Sequence, residues 1–292
     1  MCIICEDSHD LYTKRNITVS DCTRVKGIPH LPNIVCLYVI NCPNLNHIPA
    51  LQNLELLSLK NTKVKELPMF PLLTNLSIST SPVTRIFSFP ELSQLEIKNC
   101  PITSVYDLPE LKFLFILNCP SLSRLHNCDS LQTIFIENAP LLEISNIMYS
   151  IVAVTIINCP LIDLSVFENV GTMHLENYQR DTIPSLRELQ FLTIMNSSVK
   201  AIYSTRIYKL KCYDCRYLTH AEPSTYEYIT NTPWYPYHNG NDRFAYLHKI
   251  RKLKVLQRAV RSMLFRNRMN RFMLLKNKVR IPRALSVLIC KF

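Results

Sequence analysis

A polar residue returns along this chain at near-constant spacing, and that period constrains the fold more than any other feature. It falls at Asp21, Asn41, Asn61, Thr80, Asn99, Asn118, Asn138, Asn158, Asn177, Asn196 and Asp214, in steps of 18 to 20 residues. Apolar residues stand seven, four and two positions before it: Leu54, Leu57 and Leu59 before Asn61, then Leu92, Leu95 and Ile97 before Asn99. A unit of the form L-x-x-L-x-L is a short strand whose alternate side chains point inward, followed by a sharp turn. One unit cannot cover its own apolar face, so units must stack, and stacking builds a continuous parallel sheet. Ten units fit well and a degraded one precedes them. The return segments carry Ile48-Pro49, Leu67-Pro68, Phe89-Pro90 and Leu108-Pro109. Proline lacks an N–H, so these returns are expected to be extended turns or single 3₁₀ turns and not long α-helices.

The full pattern, L-x-x-L-x-L-x-N-C-P, resembles the leucine-rich repeat, whose ninth position is commonly Asn or Cys. Cys42, Cys100, Cys119, Cys159 and Cys215 occupy that place, each with Asn or Asp one residue earlier. Whether Asn or Cys turns inward stays open at this level. The resemblance runs from about Ile17 to Leu218 and implies an α/β-type repeat solenoid: a leucine-rich-repeat array with a parallel sheet of ten or eleven short strands. The short unit, the N-C-P signature and a basic tail are also similar to repeat proteins of large amoeba-infecting DNA viruses, which implies a host-cytoplasmic or virion location.

Charge divides the chain. From Arg243 to Phe292 there are 15 Lys or Arg and no acid, whereas the rest carries 18 basic against 22 acidic residues. The expected organisation is an N-terminal cap (1–16), the solenoid (17–221), an aromatic and proline-containing linker or cap (222–242) and a basic α-helical tail (243–292). The start, Met1-Cys2-Ile3-Ile4-Cys5, offers neither a basic region nor an adequate apolar run, so no secretory signal is expected. No apolar stretch reaches the roughly 18 residues of a membrane span. Twelve cysteines without a secretory signal point to a reducing, cytoplasmic compartment.

Little in the sequence suggests catalysis. Only 3 glycines are present, and no phosphate-cradling or dinucleotide motif occurs. The pairs Cys2/Cys5 and Cys212/Cys215 have the spacing of zinc ligands. By repeat phase, however, Cys212 and Cys215 are core residues, and about ten strand spacings of ~4.8 Å separate the two pairs. Cys212-Tyr213-Asp214 resembles the C-x-D motif of effector-type ubiquitin ligases, but a thiol buried in a strand is a poor nucleophile. His174 reads as a solvated surface histidine. The expectation is therefore a non-catalytic chain without cofactor or metal.

The outward strand positions carry the candidate site. Phe113, Phe115, Leu117, Phe135 and Ile157 should gather in the middle of the sheet's exposed surface, where an apolar cluster marks a protein contact or a face covered by the tail. In the tail, Leu247, Ile250, Leu253, Leu256, Val260 and Leu264 recur at helical spacing. Leu256, Gln257, Val260, Arg261, Leu264 and Arg266 form its candidate binding stripe, similar to a calmodulin-binding I-Q pattern. Its expected partners are an acidic, calmodulin-like protein, nucleic acid or an anionic membrane surface. The leading expectation is a protein-binding scaffold. The alternatives are a structural virion or assembly protein and, more remotely, a ubiquitin ligase.

Overall fold

Two corners bend a coil, and in the coil that holds Asp107 and Asn118 both follow the same local chemistry. At the first, a polar residue takes a left-handed conformation, and the next residue begins a four-residue turn that closes on a buried leucine. Asn118 has φ 53°, and Leu122 N–H then bonds Cys119 O at 3.1 Å across Pro120. At the second, Asp107 has φ 55°, and Leu111 N–H bonds Leu108 O at 3.2 Å across Pro109. Asn and Asp tolerate positive φ better than other side-chain-bearing residues, and proline's fixed φ suits the second position of such a turn. All eleven periodic polar residues have positive φ, from 48° at Asn196 to 59° at Asn138. Ser88, Asp107 and Asn127 repeat the device on the return side, with φ of 59°, 55° and 55°.

The computed structural model describes residues 2–5, 9–145, 151–160, 162–204, 207–221 and 226–230. Strands are numbered β1 to β18 in chain order. The front sheet is parallel and twelve-stranded. Its first half comprises β1 (Asn16–Ser20), β2 (Cys36–Cys42), β3 (Leu56–Thr62), β4 (Asn75–Ser79), β6 (Gln94–Lys98) and β8 (Phe113–Leu117). It continues through β10 (Thr133–Glu137), β12 (Ala153–Ile157), β13 (Thr172–Glu176), β15 (Phe191–Met195), β17 (Lys209–Tyr213) and β18 (Tyr226–Thr230). On the return side β5 (Arg85–Phe87), β7 (Ser104–Tyr106), β9 (Arg124–His126) and β11 (Glu143–Ser145) make a second parallel sheet, and β14 (Thr182–Ile183) pairs with β16 (Ala201–Ile202).

The molecule is thus a parallel β-solenoid of about ten turns, and two expectations are corrected. The α/β class is replaced by an architecture with almost no helix: among the described residues the helices are 3₁₀ turns at His9–Thr13 and Leu164–Phe167. Coils of 19 or 20 residues with two turns each leave too little chain for an α-helix, and the returns pair with one another instead. The front sheet has twelve strands, not ten or eleven, because β18 adds to β17 from the segment expected to be a linker or cap. The tail expected to be helical lies outside the described residues.

Inward residues stack in columns between the sheets. One runs through Leu57, Leu76, Leu95, Leu114 and Ile134, a second through Leu59, Ile78, Ile97, Ile116 and Ile136, all buried and in strand register. Ile86, Val105 and Leu125 close the core from the return sheet.

Candidate functional site

Alternation along β8 places Leu114 and Ile116 in the core and leaves Phe113, Phe115 and Leu117 on the outer face. Phe135 of β10 is the register partner of Phe115, and their rings stack with centroids 6.4 Å apart at 27°. Phe115 is 38% exposed, while Phe113, Leu117 and Phe135 are half-buried. The structure therefore brings four of the five candidates together. Ile157 stands apart, because Glu137 lies between Leu117 and Ile157 in the same cross-strand row.

The rim of this patch is polar. On the β6 side stand Gln94, Glu96 and Lys98, register partners of Phe113, Phe115 and Leu117. Glu96 forms an ion pair with Lys98 and accepts a hydrogen bond from Ser77 Oγ at 2.9 Å. Against the upward push of burial, these partners hold its carboxyl below the ordinary range. On the far side Thr155 and then His174 continue the row of Phe135. His174 is half-buried and not fully solvated; burial lowers its pKa, with Glu176 opposing.

The polar period resolves into two ladders. The left-handed residues face outward and bond along the stack: Asn41 Nδ2 donates to Asp21 Oδ1 at 2.8 Å, Asn118 to Asn99 at 3.0 Å and Asn158 to Asn138 at 2.6 Å. Asn177 continues the series by donating to Asn158. Their N–H groups reach the next coil, as Asn99 does to Leu117 O at 2.9 Å. The cysteines take the inward place. Cys119 Sγ donates to Leu117 O at 3.4 Å and accepts the Cys100 N–H; Cys159 Sγ donates to Ile157 O and accepts the Ala139 N–H, each at 3.4 Å. Ser81 and Ser197 make the same bonds with hydroxyls. Burial pushes the thiols of Cys119 and Cys159 up to about 11. Cys212 and Cys215 are both fully buried, and hydrogen bonding to Cys215 together with burial raises the pKa of Cys212.

Two features escaped the sequence reading. On the return sheet Phe87, Tyr106 and His126 stack face to face, with centroids 5.2 and 5.1 Å apart. Their spacing of 19 and 20 residues is the signal that marks them, but strands of three residues are too short to display a phase of their own. At the other end, Cys2 and Cys5 do not meet Cys212 and Cys215; they meet Cys22. The three sulfurs lie within 4.8 Å of one another. Although burial pushes the Cys22 thiol up, bonds from the Cys2 thiol, the Val25 and Arg24 N–H groups and the Cys5 thiol bring it down to about 7.

The tail candidates Leu256, Gln257, Val260, Arg261, Leu264 and Arg266 lie outside the described residues. Among the described residues, no helix is long and apolar enough to cross a membrane. No family model, curated protein or solved structure matches the chain.

Proposed function

We propose that this chain is a leucine-rich-repeat scaffold that recognises a protein partner on the outer face of its front sheet, with Phe113, Phe115, Leu117 and Phe135 as the anchor. The carrying observation is the stacked Phe115–Phe135 pair on an outward face, bordered by Gln94, Glu96, Lys98 and Glu137. An aromatic centre inside a polar rim is the anatomy of a contact surface, because the centre gains from losing water while the rim stays hydrated. The leucine-rich-repeat assignment rests on the L-x-x-L-x-L phase and the inward cysteines at the ninth place. The test compares wild type with a Phe115→Ser, Phe135→Ser variant in proximity labelling and pull-down. A partner taken by the wild type should be lost by the variant while the melting temperature changes by no more than a degree or two. Equal capture by both would remove this face from recognition.

A second reading, favoured by the charge asymmetry, makes the chain an assembly component whose tail grips an acidic surface. In a peptide spanning Phe244 to Arg280, replacing Leu256, Val260 and Leu264 by Ser should impair binding to an acidic protein groove more than replacing Arg261 and Arg266 by Gln. The reverse order, with steep salt dependence and tight binding to RNA or DNA, would assign the tail to nucleic acid.

A further inference from the structure

Cys22 occupies the ladder position of the first coil. In later coils that position accepts an N–H from the preceding coil, as Cys119 does from Cys100. For Cys22 the neighbouring chain is the segment Cys2–Cys5, and its sulfur stands 3.5 Å from that of Cys5. The segment is a tight turn, with Cys5 N–H bonded to Cys2 O at 3.0 Å, which aims both sulfurs to one side. Ile3 and Ile4 pack against the core and fix the turn in place. From the other direction the N–H groups of Arg24 and Val25 point at the Cys22 sulfur.

We propose that Cys2, Cys5 and Cys22 bind one zinc ion, which pins the N-terminal segment over the open end of the solenoid. A tetrahedral zinc with Zn–S bonds of about 2.3 Å sets its sulfurs roughly 3.8 Å apart. The observed sulfurs are all within 4.8 Å, so none needs to close by more than about 1 Å, and the Cys5–Cys22 pair at 3.5 Å has only to open slightly. The alternative is a disulfide, whose bond length of about 2.05 Å draws in two sulfurs and strands the third. A cation uses all three, and they give up their protons as it binds, so uptake strengthens as pH rises. The fourth position is left to water or a further donor.

The experiment uses the full chain, reduced, stripped of metal and titrated with zinc against a chromophoric chelator. About one equivalent should bind, and cobalt in its place should give the intense visible bands of a tetrahedral thiolate site. Cys5→Ser and Cys22→Ser should each lose that equivalent, while Cys36→Ser, at a thiol outside the cluster, should keep it. Circular dichroism checks that the variants are folded, and Cys5, only half-buried, is the replacement the fold should bear best. Alkylation mapped by mass spectrometry gives a readout on the wild type alone: zinc should shield Cys2, Cys5 and Cys22 together. Absence of stoichiometric uptake, undiminished uptake in the Cys5→Ser, Cys22→Ser double variant, or shielding confined to other cysteines would overturn the proposal.

Discussion

At the scale of single residues, the position after a left-handed residue can carry a definite chemical task. Where it is Cys or Ser, as at Cys119, Cys159, Ser81 and Ser197, a small side chain donates to the carbonyl two residues back and accepts an N–H from the coil before. Ala139 and the buried Tyr178, whose hydroxyl donates to Ile162 O, fill the same place without that task. Cys and Ser do both, which is why Cys119 and Ser197 are equivalent in the structure. Cys119→Ser should therefore cost little, whereas Cys119→Val takes the acceptor from the Cys100 N–H, at about 1–3 kcal/mol, while Leu117 O keeps the Asn99 N–H. Urea unfolding of the two variants checks this; equal midpoints would remove the ladder role. The same thiols carry a pH dependence. Burial holds Cys119 and Cys159 at about 11 and Cys128 at about 12, above the ordinary 9.0, so the folded chain binds more protons than the unfolded one. This contribution is complete below pH 9 and is lost as pH rises through the folded values. The melting temperature should fall across that window, and less steeply in a Cys119→Ser, Cys159→Ser variant. Which of Asn and Cys turns inward was not legible in the sequence, because both are short polar-capable residues at adjacent positions. The backbone decides it: positive φ favours Asn and Asp, with Thr80 and Ser88 as the departures, and the residue that follows falls on the core side.

At the scale of strands, alternation makes neighbours unequal. Leu114 is fully buried and stacked between Leu95 and Ile134, whereas Phe115 beside it faces out. Leu114→Asp puts an unpaired charge in the column and should cost more than about 4 kcal/mol, enough to unfold a marginal array. A folded Leu114→Asp protein with an unchanged melting temperature would refute the strand phase. That phase was readable because five-residue strands show three outward and two inward positions, and it placed the phenylalanines correctly. The return sheet was not readable, since strands such as Arg85–Phe87 hold a single inward residue and three residues cannot display a period. The separation of Ile157 from the cluster is invisible along any one strand and shows only across the row that contains Glu137. The meeting of Cys2 and Cys5 with Cys22 had no sequence signal at all, as the first segment lies ahead of the repeat and has no phase within it.

At the scale of the whole molecule, equivalence of coils makes the number of coils adjustable. Gln94 and Phe113 are register partners, so removing residues 94–112 joins Ser93 to a residue in the same structural position. The shortened chain should fold, with a lower urea midpoint and a smaller dependence on denaturant because less surface is buried. Removing only residues 94–103 shifts the phase of everything downstream and should leave the chain unfolded by circular dichroism. The coil-to-coil bonds have a mechanical consequence as well. Because they run along the stacking axis, a pull on the two ends of the solenoid loads them in series and tests them one coil at a time, in the manner of a zip and not of a rivet. Each released coil of about 19 residues should pay out roughly 6 nm of chain, the extended length less one strand spacing. Such a molecule would yield to tension gradually, shedding length in even steps from whichever end is less firmly fastened.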